Sequence, residues 1–195
     1  MNPDRLYLTF GTKVENRTNN GYGIEPSVRL AWTPPNRETF WAAVSRAERS
    51  PARKDTNLVV ALAVFPDPAG SNNPVKATLN GNPKAESEHV IAYEAGCRAQ
   101  PMGRLSIDVS TFFNRYDHRI TLEPGSELFE PSPAPARFLT PITFQNLMYG
   151  TTEGAEVAAI LKITNRWTLN SSYSFLETHL QTKPASQDAT SVADY

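Results

Sequence analysis

The feature that most constrains this chain is a strand-length alternation of apolar and polar side chains that recurs along nearly all of its 195 residues. In Arg5-Leu-Tyr-Leu-Thr-Phe-Gly-Thr-Lys-Val-Glu15, Leu6, Leu8, Phe10 and Val14 share one face. Tyr7, Thr9, Gly11, Lys13 and Glu15 share the other, because successive strand side chains emerge on opposite sides. The pattern returns at Val28, Leu30 and Trp32, at Ile91, Tyr93, Ala95 and Cys97, at Leu105, Ile107, Val109 and Phe113, and at Val157, Ala159, Leu161 and Ile163. The intervening positions carry Arg29, Glu94, Arg98, Asp108, Asn114, Glu156 and Lys162, too many charges for a small dry core. The apolar face is therefore expected to look outward at lipid and the polar face inward.

Seven strands are expected, near residues 4–16, 25–33, 38–49, 88–100, 103–120, 142–164 and 166–180, with almost no helix. Three connections are short and rich in turn formers: Thr33 to Arg37, Gln100 to Gly103 and Thr164 to Arg166. The others are expected to be long and polar: Asn16 to Ile24, Ser50 to Ser87, Thr121 to Pro141, and whatever follows Leu180. A strict alternation of short and long sorts the short turns to one end of the sheet, as in an outer-membrane barrel. Trp32, Trp41 and Trp167 all lie close to short turns and are expected to form an interfacial belt there, with Tyr116, Tyr149 and Phe175 as a second belt. Inside the longest connection, Leu58 to Phe65 is a continuous apolar run, read either as a short loop hairpin or as a segment that touches a partner or ligand.

Composition narrows the function classes. Nineteen basic against 20 acidic residues, a net charge of -1, argue against a general nucleic-acid binder. No apolar run approaches the roughly 18 residues of a spanning helix, but a spanning strand needs only about 9–11 and alternates. Cys97 is alone and is expected to pack as a small residue. His89, His118 and His179 are expected to be exposed at loop ends with no metal-ligand spacing, and no cofactor or metal is expected. Ser27, His89 and Asp108 have no linking motif, so no catalytic residues are assigned and no enzyme activity is expected. No apolar leader segment precedes the first strand.

Several segments, in order, resemble the β-barrel of the TonB-dependent receptors. They are Thr9-Phe-Gly-Thr-Lys-Val-Glu15, Pro26-Ser-Val-Arg-Leu-Ala-Trp32, Phe40-Trp-Ala-Ala-Val-Ser-Arg-Ala-Glu-Arg-Ser-Pro51, Gly81-Asn-Pro-Lys-Ala-Glu-Ser-Glu88 with Tyr93-Glu-Ala-Gly96, Phe112-Phe-Asn-Arg-Tyr-Asp117 and Gly154-Ala-Glu156. Ala85 and Ser87 stand where the family usually has Leu and Pro.

The resemblance implies an all-β, antiparallel up-and-down meander, an incomplete segment of a transmembrane β-barrel. Residues 1–180 would be about seven strands of the barrel and 181–195 a loop or truncated end. It implies a place in the bacterial outer membrane and a part in energy-coupled uptake of ferric siderophores or similar scarce nutrients. Implied partners are outer-membrane lipid, the plug domain and remaining barrel strands missing here, the inner-membrane TonB complex reached through the missing N-terminal part, and a ferric chelate or other small ligand. Arg46, Arg49, Glu88 and Glu94 fall at motif positions and would face the lumen or plug, or form a ladder of ion pairs between strands. A passive porin or adhesin-type barrel, and a soluble β-sandwich binding module, are the alternatives.

Overall fold

The computed structural model describes residues 5–17, 21–35 and 37–192. It contains ten strands: β1 (Arg5–Arg17), β2 (Gly21–Thr33), β3 (Glu38–Arg49), β4 (Val59–Pro66), β5 (Pro74–Asn80), β6 (Glu88–Met102), β7 (Leu105–Pro124), β8 (Leu128–Glu130), β9 (Arg137–Lys162) and β10 (Thr168–Thr182). One short helix, α1 (Arg53–Asn57), precedes β4. Sheet order is β1-β2-β3-β6-β7-β9-β5-β4, with β8 and β10 also paired to β9. All seven expected strands are present, and β4 and β5 form an antiparallel hairpin from the apolar run after Leu58.

Four expectations are corrected. Residues 22–24 belong to β2 rather than to a long loop, because Lys13 lies directly opposite Glu25 and Glu15 opposite Gly23, which carries the ladder to Arg17 and Gly21. The span expected as a loop from Thr121 to Pro141 is largely strand. Gly125 N–H bonds Pro141 C=O at 2.7 Å, and β9 starts at Arg137 against β8. The same stretch of β9 pairs with β5 in parallel, Val75 opposite Phe138 through Asn80 opposite Thr143, where a pure meander was expected. Finally, His89 at the start of β6 and His118 within β7 are half-buried, each within 3.5 Å of a glutamate carboxylate, rather than exposed.

The chain divides into two compact units. In the first (up to Glu48, His89–Tyr116 and Gly150–His179), two faces are separated cleanly. Leu6, Leu8 and Phe10 of β1 lie opposite Trp32, Leu30 and Val28 of β2, which in turn lie opposite Phe40, Ala42 and Val44 of β3. Leu6 and Phe10 are 68% and 72% exposed, so this face carries apolar surface that water does not favour. Trp32 stacks on Phe40 with ring centroids 5.4 Å apart, and Tyr93 pairs with Phe113 at 6.3 Å. On the other face Thr9 lies opposite Arg29 and Ala43 opposite Arg29 from the far side.

In the second unit (Arg49–Glu88, Asp117–Tyr149 and the residues from Leu180), buried groups are mostly polar: Asp55, Thr78, Thr121, Glu123, Asn146 and Asp188 beside Val75, Ala85, Phe144 and Met148. Each buried polar group needs a partner in place of water, and loop backbone supplies many of them here.

Candidate functional site

The polar face of the first unit carries a chain of alternating charges across four strands. Lys13 reaches Glu15 at 2.6 Å and Glu25 at 3.5 Å. Arg17 reaches Glu15 at 3.7 Å, Glu25 at 3.2 Å and Glu48 at shorter range. Arg46 pairs with Glu48 at 2.5 Å and donates to the Ile24 carbonyl at 3.1 Å. His89 Nδ1 stands 3.3 Å from Arg46 Nη2 and 3.5 Å from Glu48 Oε1.

Local sequence explains the geometry. Gly23 has no side chain, and the Arg17 guanidinium occupies the space a Cβ would fill. In β3 the exposed positions Phe40, Ala42 and Val44 alternate, then Ser45 and Arg46 are both half-buried and exposure resumes at Ala47. A one-residue slip of this kind, as at a β-bulge, turns Arg46 and Glu48 to the polar face instead of the apolar one. The slip matters energetically: without it Glu48 would turn to the apolar face that carries Phe40 and Val44.

The Arg17 and Glu48 side chains are each only 8% exposed. A buried ion pair is strongly destabilising to break from one side, because the remaining charge keeps its desolvation cost. Sequence reading missed Arg17, Glu25 and Glu48. Arg17 falls in the span expected as a loop, and Glu48 shares its parity with the apolar residues of its strand.

Of the residues singled out from sequence, Arg46 joins this ladder. Arg49 and Glu88 pair with each other in the second unit at 2.5 Å, Arg49 also reaching Asp55 at 3.5 Å while the Ile120 N–H donates to Glu88 at 2.8 Å. Glu94 is half-buried and has no ion-pair partner among the described residues. Trp32 lies on the apolar face, and Trp167, 73% exposed, closes a turn in which its N–H donates to Thr164 Oγ1 at 3.1 Å. Trp41 lies on the opposite face, level with Ala31 and over Gly96, apart from Trp32. Tyr116 also turns to the polar side, where Thr152 Oγ1 lies 3.4 Å from its hydroxyl and accepts from Asn114 at 3.1 Å.

The Gly81 to Glu88 motif acquires a structural meaning in the second unit. Asn146 of β9 accepts from the Glu86 N–H at 2.8 Å and donates to the Glu86 carbonyl at 3.1 Å and the His118 carbonyl at 2.7 Å. His118, with φ +56°, stands between Glu86 at 3.3 Å and Asp117 at 3.4 Å. Beyond β10, Asp188 accepts from Leu122, Thr190 and Ser191 backbone N–H groups at 2.7, 2.9 and 3.0 Å and from two hydroxyls. Burial alone would push its carboxyl up, but these donors outweigh burial and hold it well below the usual carboxylate range. Glu123 fixes the same segment through Ser186 Oγ at 2.6 Å and Gln187 N–H at 2.7 Å. Residues 183–191, which carry no helix or strand, are thus a strap pinned to β7 through Leu122 and Glu123.

A two-faced antiparallel sheet with a charge ladder on one face fits a barrel wall, and comparison with known families decides which. The family model described as TonB dependent receptor-like, beta-barrel matches residues 1–194. The chain belongs to this family. Among solved structures, this TonB-dependent receptor barrel is similar to the siderophore receptor PirA from Acinetobacter baumannii, with TM-score 0.72 and 14% identity over 92% of this chain and 26% of that one. The PirA of Pseudomonas aeruginosa gives TM-score 0.70 and 16% identity over 91% of this chain and 32% of that one. A ferric enterobactin receptor (PfeA) from Pseudomonas aeruginosa, solved in complex with enterobactin, gives TM-score 0.71 and 18% identity over 88% and 24%. The chain therefore spans about a quarter to a third of the receptors it resembles in fold. No curated protein sequence matches it.

Proposed function

We propose that this chain is a wall segment of an outer-membrane receptor that takes up ferric siderophores or similar scarce nutrients by energy-coupled transport. The observation that carries the reading is the β1–β2–β3 register, which sets Leu6, Trp32 and Phe40 in one row on one face and Thr9, Arg29 and Ala43 in another on the opposite face. A lipid environment satisfies the first row, and every backbone group of such a wall must be paired within a sheet. Trp32 and Trp167 are the interfacial aromatics in this reading, and Trp41 faces the lumen.

The charge ladder through Arg17, Glu48 and Arg46 lines the water-filled interior, and Glu94 is available there to a plug domain. In this reading the connection from Ser50 to Ser87, opposite the short turns, lies at the cell exterior, where capture of a small ferric chelate begins. The work is binding and passage without covalent chemistry; energy arrives from the inner-membrane TonB complex through parts of the receptor outside this chain. The fold of the solved siderophore receptors supports the substrate class.

Protease added to intact cells that display the receptor tests this orientation. Cleavage within Ser50 to Ser87, with Thr33 to Arg37 protected, is expected. The reverse pattern would overturn the capture role.

A further inference from the structure

Each short turn of the first unit carries one arginine: Arg37 between β2 and β3, Arg104 between β6 and β7, and Arg166 between β9 and β10. The backbone joins these turns into one line along the end of the sheet. Thr33, the last residue of β2, lies opposite Arg5; the Arg37 carbonyl accepts the Gln100 N–H at 3.2 Å, and the Arg104 carbonyl accepts the Lys162 N–H at 2.8 Å. Arg5 and Lys162 therefore stand in the same line.

Charge on this rim is one-sided. All five cations are exposed, and none is ion-paired among the described residues. Arg98, the next cation inward, is taken by Asp108 at 2.5 Å and adds nothing to the rim. Glu38 is the one described carboxylate in these turns, and with Asp4, outside the described residues, the sequence there still holds five cations to two carboxylates.

The rim borders the apolar face directly. Leu6 and Trp32 form the rung next to Arg5 and Thr33, with Phe40 opposite Trp32, and one rung is about 3.3 Å along a strand. Met102, Ile163 and Trp167, beside the other two turns, are exposed apolar side chains as well.

We propose that this rim binds anionic phospholipid headgroups, with phosphates against Arg37, Arg104 and Arg166 and acyl chains along the row of Leu6, Trp32 and Phe40. The inference rests on the reading that the apolar face meets lipid, and it adds which headgroup the turn end selects. Guanidiniums bind phosphate oxygens in paired hydrogen bonds, and basic residues at the edge of a bilayer are drawn to an anionic surface. A free anion or an acidic protein would use the arginines and leave the apolar row idle. An amphiphile uses both, and a zwitterionic one brings a cation of its own to a rim already rich in them.

The test uses the full chain in bilayers of equal parts phosphatidylglycerol and phosphatidylcholine, with bromine on the acyl chains of one lipid or the other, and reads tryptophan fluorescence. Brominated phosphatidylglycerol should quench more than brominated phosphatidylcholine, a relative association of at least about threefold. Arg37→Gln, Arg104→Gln and Arg166→Gln together should bring that ratio to about one, while lysine at the same three positions should keep most of it. If the glutamine variant does not fold, as seen by circular dichroism, wild type alone decides: raising sodium chloride from about 0.05 M to about 0.5 M shortens the screening length and should bring the ratio towards one. A ratio near one in wild type, a preference that survives the glutamine substitutions or the salt, or its loss to inorganic phosphate at an ionic strength where sodium chloride preserves it would overturn the proposal. Bilayers in which all the lipid is brominated separate the two claims. Strong quenching there, with no preference in the mixture, removes the headgroup site and leaves the lipid-facing reading intact; no quenching at all would overturn both.

Discussion

Trp41 sits against Gly96: a Cβ on Gly96 would stand 2.7 Å from two atoms of the Trp41 indole and equally close to the Val109 carbonyl. The same relation recurs at Phe112 and Gly154, where a Cβ would stand 2.5 Å from the Phe112 ring. An aromatic ring covering a glycine on the neighbouring strand shields backbone that would otherwise be bare on the polar face, and it fixes the register of the two strands. Gly96→Ala is therefore expected to destabilise the sheet by about 1–3 kcal/mol through overpacking. Trp41→Leu in the same chain should recover only part of the loss, since the Val109 carbonyl stays in place. Urea unfolding of the two single variants and the double variant, followed by circular dichroism, gives both numbers.

Arg17 is the hub of the ladder, and its loss should be felt most by Glu48. Arg17→Met takes from two largely buried carboxylates the cation they share and leaves Glu48 to Arg46 and Glu25 to Lys13, at a cost of about 1–3 kcal/mol. Adding Glu48→Gln removes the more deeply buried of the two charges, so the double variant should be more stable than Arg17→Met alone. If the two losses instead added, the pair would be behaving as an exposed surface contact worth no more than about 1 kcal/mol.

The strap after β10 is expected to be acid-sensitive. The Asp188 carboxyl is held below its unfolded value, so its contribution is fully present above about pH 4, the ordinary aspartate range, and is lost as pH falls through the lower folded value. Hydrogen exchange of residues 183–191 should be constant from pH 8 to about 5, after correction for intrinsic rates, and should accelerate below about pH 4. Asp188→Asn should open the strap at neutral pH by about 2 kcal/mol, because donors to a charged acceptor lose it.

Strand parity made the apolar rows legible: Leu6, Leu8 and Phe10 need only the two-residue period to be grouped. The family motifs made the barrel legible for the same reason, since each is confined to one strand or its end. What escaped is whatever depends on pairs distant in sequence. Trp41 and Trp32 look equivalent beside a turn, and only the register that sets Trp32 opposite Phe40 separates them. The one-residue slip at Ser45 leaves no compositional mark, so nothing in the sequence singles out Glu48, which shares its parity with Phe40 and Val44. Asn146 and Asp188 look like ordinary polar residues until Glu86, His118 and Leu122 are brought to them by the fold. The parallel pairing of β5 with β9 joins segments some sixty residues apart, and neither strand announces its partner.

The lipid-facing assignment can also be tested at single positions. Leu8→Arg would set a charge on the apolar row beside Leu30, at a cost of about 2–4 kcal/mol if the site lies near the membrane midplane. Thr9→Arg, one residue away on the polar face, should be tolerated. Folded yield in outer-membrane fractions compares the two; equal yields would contradict a lipid boundary at β1.

The most direct test of the account uses two single-tryptophan proteins in membranes containing brominated lipid, one keeping Trp32 and the other Trp41, with the remaining tryptophans changed to Phe. Brominated acyl chains quench only indoles that touch the bilayer. Trp32 fluorescence should be quenched strongly and Trp41 fluorescence should be nearly unaffected by the lipid bromines. Quenching of Trp41 with Trp32 left bright would reverse the two faces and contradict the barrel-wall assignment.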